Sequence, residues 1–266
     1  MSFQGNPCWF ELSTGKGKLA DAGTFYSRIL GWQVADSGMP DFTYHLAMSE
    51  GDMVAGLMET PDDMADMPPF WMIYFTVDDC DQFSRDAVAA SGRVFKEPAD
   101  IPGTGRFAIL ADPQGAAFGV LTPDMSQMSP EERAKAEANS PFNQNKAGRG
   151  NWLELMSADP EAGFDFYARM FGWTRGEAMP MDEMGNYQLF RRNGTDIGGM
   201  MGLGPAPVSF WMPYFGINGS VAAMAQTITE VGGKIMHGPV EVPGPAWIVV
   251  AQDPQGAAFA LVGPEN

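Results

Sequence analysis

Two glutamates lie on short strand-like segments, each two residues after a tryptophan. Alternate side chains of a strand face the same way, so Trp9 and Glu11 share a face, as do Trp152 and Glu154. A carboxylate that loses water beside an indole ring has a raised pKa and can exchange a proton with a substrate. The same carboxylate can instead only hold a neighbouring strand or loop. Glu11 and Glu154 are therefore candidate catalytic residues, with both roles left open.

Residues that commonly bind transition metals are scarce, because the chain has two His and two Cys. Two thiols cannot build a four-thiolate zinc site. An iron site of two His and one carboxylate would need both imidazoles in one place, but His45 and His237 lie far apart in the sequence. We expect no metal site and no other cofactor.

The chain repeats itself at an interval of about 140 residues, which predicts a duplicated domain. Four segments return in the same order in the second half. The matched segments are Trp9–Leu12 with Trp152–Leu155, Phe25–Trp32 with Phe166–Trp173, Phe70–Phe75 with Phe210–Phe215, and Asp112–Phe118 with Asp253–Phe259.

Each half divides again into two modules of order β-α-β-β-β. In the first module an apolar face indicates a helix at about residues 19–30, and Gly31 fits its C-cap position. The second module has a helix at about residues 79–90. An α+β fold of four such modules is predicted. The expected strands of the first half are Trp9–Ser13, Gly31–Asp36, Phe42–Ser49, Met53–Glu59, Trp71–Val77, Arg93–Lys96, Arg106–Ala111 and Ala117–Leu121.

A linker separates the copies. Ser129-Pro130-Glu131-Glu132 resembles a capping box with proline at the first helical position, which predicts a short helix. Residues 140–150 are rich in Asn, Gly, Lys and Ser, as is typical of a linker. The expected bounds are 1–124 for the first domain, 125–148 for the linker and 149–266 for the second domain.

The charge excludes some partners. The chain carries 16 Lys and Arg against 33 Asp and Glu, a net charge of −17. Such a surface repels phosphate backbones and anionic lipids, so neither nucleic acid nor a membrane is an expected partner. The first residues are not typical of a secretory signal, so we expect a cytoplasmic protein.

The module order, the Phe-Tyr…Gly-Trp helix end and the repeated Asp-Pro-Gln-Gly turn resemble the vicinal oxygen chelate superfamily. That group includes glyoxalase I, bleomycin-resistance proteins and extradiol dioxygenases, and the closest resemblance is to tandem glyoxalase-like proteins of bacteria. The resemblance covers both halves and implies paired modules whose curled mixed sheets surround a cavity. Metal-dependent members hold a divalent ion there with His, Gln or Glu.

Counting from the turns and helix starts locates the places where such ligands would lie, and their residues are poor donors for a hard or borderline ion. The resemblance therefore implies loss of the metal and of the glyoxalase I reaction, which needs it. These places are Trp9, Met72, Gly119 and Ala55–Leu57 in the first copy, and Trp152, Met212, Ala260 and Gly198–Met200 in the second.

The residues that remain on the expected inner faces predict an apolar, ligand-binding cavity. Besides the tryptophans and glutamates, strand alternation places four side chains there: Met72, Tyr74, Met212 and Tyr214. Arg106, at a loop-to-strand junction, is a candidate for gripping a ligand carboxylate. His45, matched by Gln188 in the second copy, is a further candidate contact. Each is also consistent with an ordinary solvated or packing residue.

Three functions stay open at this point. The first is metal-independent binding of a small hydrophobic molecule. The second is a lyase, isomerase or hydrolase that uses Glu11 or Glu154 as acid or base. The third is an interaction protein in which one half completes a homodimer.

Overall fold

A computed structural model describes residues 3–39, 42–64, 66–181 and 185–265. The first half follows the predicted order of two β-α-β-β-β modules. Its elements are β1 (Asn6–Thr14), α1 (Leu19–Leu30), β2 (Gln33–Asp36), β3 (Tyr44–Ser49), β4 (Asp52–Glu59), β5 (Phe70–Thr76), α2 (Cys80–Ala89), β6 (Arg93–Ile101), β7 (Gly105–Ala111) and β8 (Ala117–Pro123).

The second half repeats this order after one connecting helix, α3 (Pro130–Ala138). Its elements are β9 (Gly150–Ser157), α4 (Pro160–Phe171), β10 (Thr174–Pro180), β11 (Asn186–Arg192), β12 (Thr195–Gly202), β13 (Phe210–Gly216), α5 (Val221–Glu230), β14 (Lys234–Val242), β15 (Ala246–Gln252) and β16 (Ala258–Gly263). The α+β fold of four modules is thereby confirmed.

The strands form two mixed eight-stranded sheets, one from each half of the chain. Their orders are β2-β3-β4-β1-β5-β8-β7-β6 and β10-β11-β12-β9-β13-β16-β15-β14. Within each module the first strand pairs in parallel with the last, as β1 does with β4 and β5 with β8. This pairing brings the first and last strands of a module side by side, with their alternate residues on a common face.

Helix ends follow from local chemistry. Gly31 ends α1 in the left-handed conformation at φ 69°, as its position predicts. Asp79 caps α2 by accepting a hydrogen bond from the backbone N–H of Gln82, so this helix begins one residue later than expected. The predicted capping box before α3 is confirmed, since Ser129 and Glu132 each accept from the other's backbone N–H.

One strand is longer than the sequence suggested. The sequence predicts that the strand beginning at Arg93 ends at Lys96, and Pro98 follows it. In the structure β6 continues to Ile101, and its pairing with β7 shifts register between Lys96 and Ala99. A bulge on this edge strand accommodates the proline.

The chain folds into two compact units, each of which draws on both halves. Unit 1 comprises Met1–Cys8, Ile73–Ala138 and Leu153–Trp211, and unit 2 comprises Trp9–Met72, Asn139–Trp152 and Met212–Asn266. The sheets instead separate between β8 and β9. The predicted domain bounds at 124 and 149 remain a proposal.

Each unit has its own aromatic core. In unit 1, Phe75, Phe118, Phe171 and Trp173 are buried and meet ring to ring, with Phe75 and Phe171 centroids 5.0 Å apart. In unit 2 the corresponding core is built on Phe10, Tyr26, Trp32, Trp71, Phe215 and Phe259. Burial of these large rings removes much apolar area from water and so stabilises each unit.

Candidate functional site

Trp9, Tyr44 and Glu11 form a hydrogen-bonded chain in unit 2. The indole Nε1 of Trp9 donates to the phenol oxygen of Tyr44 at 2.9 Å, and that phenol donates to Oε2 of Glu11 at 2.7 Å. The two β1 side chains reach the same phenol because alternate strand residues share a face. All three side chains are half-buried. These three hydrogen-bonded side chains therefore present polar atoms on a partly accessible face.

Gly56 makes room for this arrangement. It lies opposite Glu11 in the parallel pairing of β1 and β4, and a Cβ at position 56 would overlap the hydroxyl of Tyr44. The Tyr44 side chain thus extends from β3 across the β4 backbone to reach β1. Only glycine permits this path, because any side chain at 56 would occupy the position of the phenol.

The phenol stays protonated. Burial raises the pKa of Tyr44, the negative charge of Glu11 raises it further, and the Trp9 N–H only partly opposes them. A neutral phenol next to a carboxylate has one hydrogen to give, and it gives this hydrogen to Glu11. The direction of the hydrogen-bonded chain is therefore from Trp9 through Tyr44 to Glu11.

We expect Gly56→Ala to break the Tyr44–Glu11 hydrogen bond and to lower the free energy of unfolding by about 1–3 kcal/mol, the range for forced overpacking. The added methyl group displaces the phenol. Urea denaturation measures the stability. Gly219→Ala is the matched control, since its Cβ would have nothing within 4 Å. Equal stability of both variants would contradict the placement of Tyr44.

The second copy keeps the same backbone arrangement. Glu154 lies opposite Gly199 in the parallel pairing of β9 and β12, and a Cβ at Gly199 would overlap the ring of Tyr187. Glu154 is only 5% exposed, whereas Glu11 is half-buried. The two copies therefore have the same arrangement of glutamate, tyrosine and glycine, but the two glutamates differ in solvent exposure. The first copy is the better candidate for a ligand-binding site.

The other predicted inner-face residues are mostly deep in the protein. Met72, Tyr74, Met212 and Tyr214 are each at most 6% exposed, and Trp152 is half-buried. In unit 1 the ring of Tyr74 covers Gly119, its neighbour in the pairing of β5 with β8, and a Cβ there would overlap it. Tyrosine over glycine thus occurs in both modules of the first half.

His45 and Arg106, the remaining predicted ligand contacts, face another way or have other neighbours. His45 follows Tyr44 on β3, so alternation turns it to the opposite face from Glu11. The guanidinium of Arg106 is held by the carboxylates of Asp81 and Asp100, with Arg106 Nη1 2.9 Å from Asp100. A ligand carboxylate would have to displace them. The structure brings neither residue to the Trp9–Tyr44–Glu11 chain.

Tyr44 and Gly56 are the site residues that the strand pattern did not reveal. Alternation predicted the face of Glu11 but not which side chain would reach it from two strands away. The usable signal was the repeat itself, because Tyr44 recurs as Tyr187 and Gly56 as Gly199. A tyrosine and a glycine kept at matched positions of two neighbouring strands indicate a ring lying over a backbone.

Comparison with known proteins agrees with this architecture. Residues 15–120 match the family model of the Glyoxalase/Bleomycin resistance protein/Dioxygenase superfamily. The matched residues lie within the first half of the chain. Its two sheets of paired β-α-β-β-β modules are the vicinal oxygen chelate fold in two copies, as the repeat predicted.

Two relatives match this protein along almost its whole length. CFP32 of Mycobacterium tuberculosis, whose name carries a provisional glyoxylase assignment, is 29% identical over 98% of this chain and 95% of its own length. The anthracycline biosynthesis protein DnrV of Streptomyces peucetius is 28% identical over 97% of this chain and 93% of its own.

Solved structures share the fold. A Mn(II)-bound glyoxalase from Novosphingobium aromaticivorans has a TM-score of 0.65 at 15% identity, covering 99% of this chain and 83% of its own. The 2,2',3-trihydroxybiphenyl 1,2-dioxygenase of Sphingomonas wittichii has a TM-score of 0.67 at 13% identity, covering 98% and 90%. Identities this low show the fold alone.

The divalent ion of metal-dependent members does not fit the residues of this chain. Trp9 and Met72 stand at two of the expected ligand places, and tyrosine rings cover the glycines at two more, Gly56 and Gly119. Across the described ranges, no group of three His, Cys, Asp or Glu could hold an ion. Likewise, none of the helices described is long and apolar enough to cross a membrane.

Proposed function

We propose that this protein binds a small hydrophobic organic molecule without a divalent ion, and that Trp9, Tyr44 and Glu11 receive the polar end of that molecule. The observation that carries the proposal is the hydrogen-bonded chain itself. It includes Trp9, the first-strand position at which the family resemblance implies a metal ligand, and it offers an indole, a phenol and a carboxylate there.

Aromatic surface beside the hydrogen-bonded residues Trp9, Tyr44 and Glu11 favours a planar ligand. Phe42 stacks on Tyr44 with ring centroids 6.0 Å apart and planes 28° from parallel, and Phe42 is 45% exposed. An exposed ring next to two half-buried ones provides a stacking surface for another aromatic ring. The name of DnrV associates that relative with anthracycline biosynthesis, so a hydroxyanthraquinone is a suitable first probe.

Calorimetric titration with 1,8-dihydroxyanthraquinone, paired with metal analysis of the purified protein, tests the proposal. We expect binding that EDTA leaves unchanged, in protein with far less than one transition-metal ion per chain. Phe42→Ala should weaken binding by about 0.5–1.5 kcal/mol, the range for an aromatic pair. Phe95→Ala removes another exposed ring, 58% exposed, and should leave it unchanged. Binding that requires added Mn²⁺ would overturn the proposal.

A further inference from the structure

A groove runs beside helix α1 in unit 2, and Trp9, Tyr44 and Glu11 do not line it. Its volume is about 1040 Å³, at the upper end of the range for small-molecule sites. The helix contributes lining residues from Lys18 to Arg28, so the groove follows the helix axis for about 15 Å. All of its described lining residues belong to unit 2.

The spacing of residues in α1 explains how the helix forms one side of the groove. Lys18, Asp21, Phe25 and Arg28 follow one another at intervals of three, four and three residues, which places them on one helix face. Phe25 is 3% exposed, and its ring packs on Phe259 with centroids 5.9 Å apart. The three charged side chains are exposed. Phe25 therefore lies at the base of the groove, and the charges lie at its rim.

Most of the groove outside α1 is apolar. Met67, Pro69, Val231 and Pro254 line it there, and Met67 is 43% exposed. These side chains offer no strong hydrogen-bond donor or acceptor, so they favour contact with hydrocarbon. A methionine side chain also adapts to the shape of what lies against it. An extended apolar chain would therefore fit along this surface.

Arg28 is the cation of the groove that no carboxylate balances. The ammonium of Lys18 lies 3.5 Å from Asp21, so these two charges compensate each other. Among the residues that the structure describes, none forms an ion pair with the guanidinium of Arg28. In unit 1, by contrast, Arg106 and Arg175 each have two carboxylate partners. The planar guanidinium of Arg28 matches the geometry of a ligand carboxylate.

We infer that this groove binds a linear, medium-chain carboxylate, whose carboxylate pairs with Arg28 and whose hydrocarbon chain lies over Phe25 and Met67. The groove is a second site, with another class of ligand than the one proposed for Trp9, Tyr44 and Glu11. The net charge of −17 does not prevent this binding, because charges farther away than about 8 Å are largely screened at physiological ionic strength.

Three probes with the same decyl chain test the inference: decanoate, 1-decanol and decylammonium. Binding is followed by NMR in protein whose methionine methyl groups carry ¹³C. Met67 reports from the groove, and Met58, which lies opposite Tyr44 in the pairing of β3 with β4, reports from the other site. Met67→Leu and Met58→Leu assign the two signals.

We expect decanoate to shift the Met67 signal and to bind about fivefold more tightly than 1-decanol, the upper value for an exposed ion pair. Decylammonium should bind more weakly than 1-decanol, because Arg28 repels it. The Met58 signal separates binding at Trp9, Tyr44 and Glu11 from binding in the groove.

Variants of Arg28 test the assignment of the carboxylate. Arg28→Gln should weaken decanoate binding about fivefold and leave 1-decanol binding unchanged, whereas Arg28→Lys should keep most of the preference because it keeps the charge. Arg169→Gln is the matched control, since Arg169 holds the same place in α4 that Arg28 holds in α1, and it should change neither. Far-UV circular dichroism checks that each variant is folded.

The failure of this site and that of the proposed function are distinguishable. If no probe shifts the Met67 signal, or if the three probes bind there equally, the inference is wrong. The same holds if Arg28→Gln weakens 1-decanol as much as decanoate. If decanoate shifts Met58 but not Met67, the inference is wrong while the proposed function stands. A preference for decanoate at Met67 that Arg28→Gln removes supports the groove, whether or not the hydroxyanthraquinone binds.

Discussion

Arg149→Met is expected to lower the free energy of unfolding by about 3 kcal/mol, as for a buried ion pair that loses one partner. The guanidinium of Arg149 is fully buried and donates from Nη2 to Asp52 at 2.8 Å and from Nη1 to the carbonyl of Asn139 at 2.7 Å. It also reaches the carbonyl oxygens of Ser140 and Ser49. Methionine fills much of the space but satisfies none of these acceptors.

Urea denaturation followed by tryptophan fluorescence measures the effect. Arg191→Met is the matched control, because Arg191 makes a comparable pair with Asp196 at 2.7 Å, but both side chains are partly exposed, at 40% and 32%. A surface pair of this kind contributes about 0–1 kcal/mol. Similar losses in the two variants would show that burial does not set the importance of Arg149.

Arg149 also shows what local sequence patterns can and cannot predict. The Asn, Gly, Lys and Ser content of residues 140–150 predicts a linker, and in the structure Asn139–Trp152 belongs to compact unit 2. Composition does not reveal a contact between Arg149 and Asp52, which are 97 residues apart. Helices, turns and strand faces were predictable because their signals repeat within a few residues.

For the candidate site, too, the sequence predicted strand faces but not tertiary partners. The faces of Trp9 and Glu11 followed from alternation, and they do reach one phenol. The assignment of His45 and Arg106 as ligand contacts stays a prediction. The neighbours of these two residues are set by strand register and by Asp81 and Asp100. Tertiary partners of this kind depend on the whole fold and have no local pattern.

Tyr26→Phe is the second variant with a large expected effect, about 2–4 kcal/mol of unfolding free energy, since it leaves two buried polar atoms unpaired. In unit 2 the Nε1 of Trp71 donates to the phenol of Tyr26 at 2.9 Å, and the phenol donates to Asp253 at 3.0 Å. Tyr26 is fully buried and Asp253 is 3% exposed, so water cannot replace the lost partner.

The repeat supplies an independent copy of this experiment. In unit 1, Trp211 donates to Tyr167 at 2.9 Å and Tyr167 donates to Asp112 at 3.1 Å. Each tyrosine thus bonds the Asp-Pro-Gln-Gly turn of the other half of the chain. Tyr167→Phe should lower the free energy of unfolding by a similar amount. The double variant should lower it by about the sum of the two losses, because the two hydrogen-bonded groups share no residue. A loss under about 0.5 kcal/mol in either single variant would contradict the role of the phenol.

The loss in Tyr26→Phe is also expected to depend on pH. Burial raises the pKa of Asp253 above its ordinary value of 3.8, while backbone N–H groups and the Tyr26 phenol hold it down. An acid with a raised folded-state pKa binds more protons folded than unfolded, so stability falls as pH rises from 3.8 through the raised pKa and is level above it. Removing the phenol raises that pKa further and widens the range over which stability is lost.

The difference between wild type and Tyr26→Phe should therefore be smallest below pH 3.8, where Asp253 is protonated in both states, and largest at neutral pH. Measuring the difference, rather than each stability alone, cancels the many other carboxylates of this acidic chain. Tyr167→Phe should show the same trend, since burial also raises the pKa of Asp112. A penalty that stays constant from acidic to neutral pH would mean that the phenol stabilises the fold through packing rather than through the buried carboxylate.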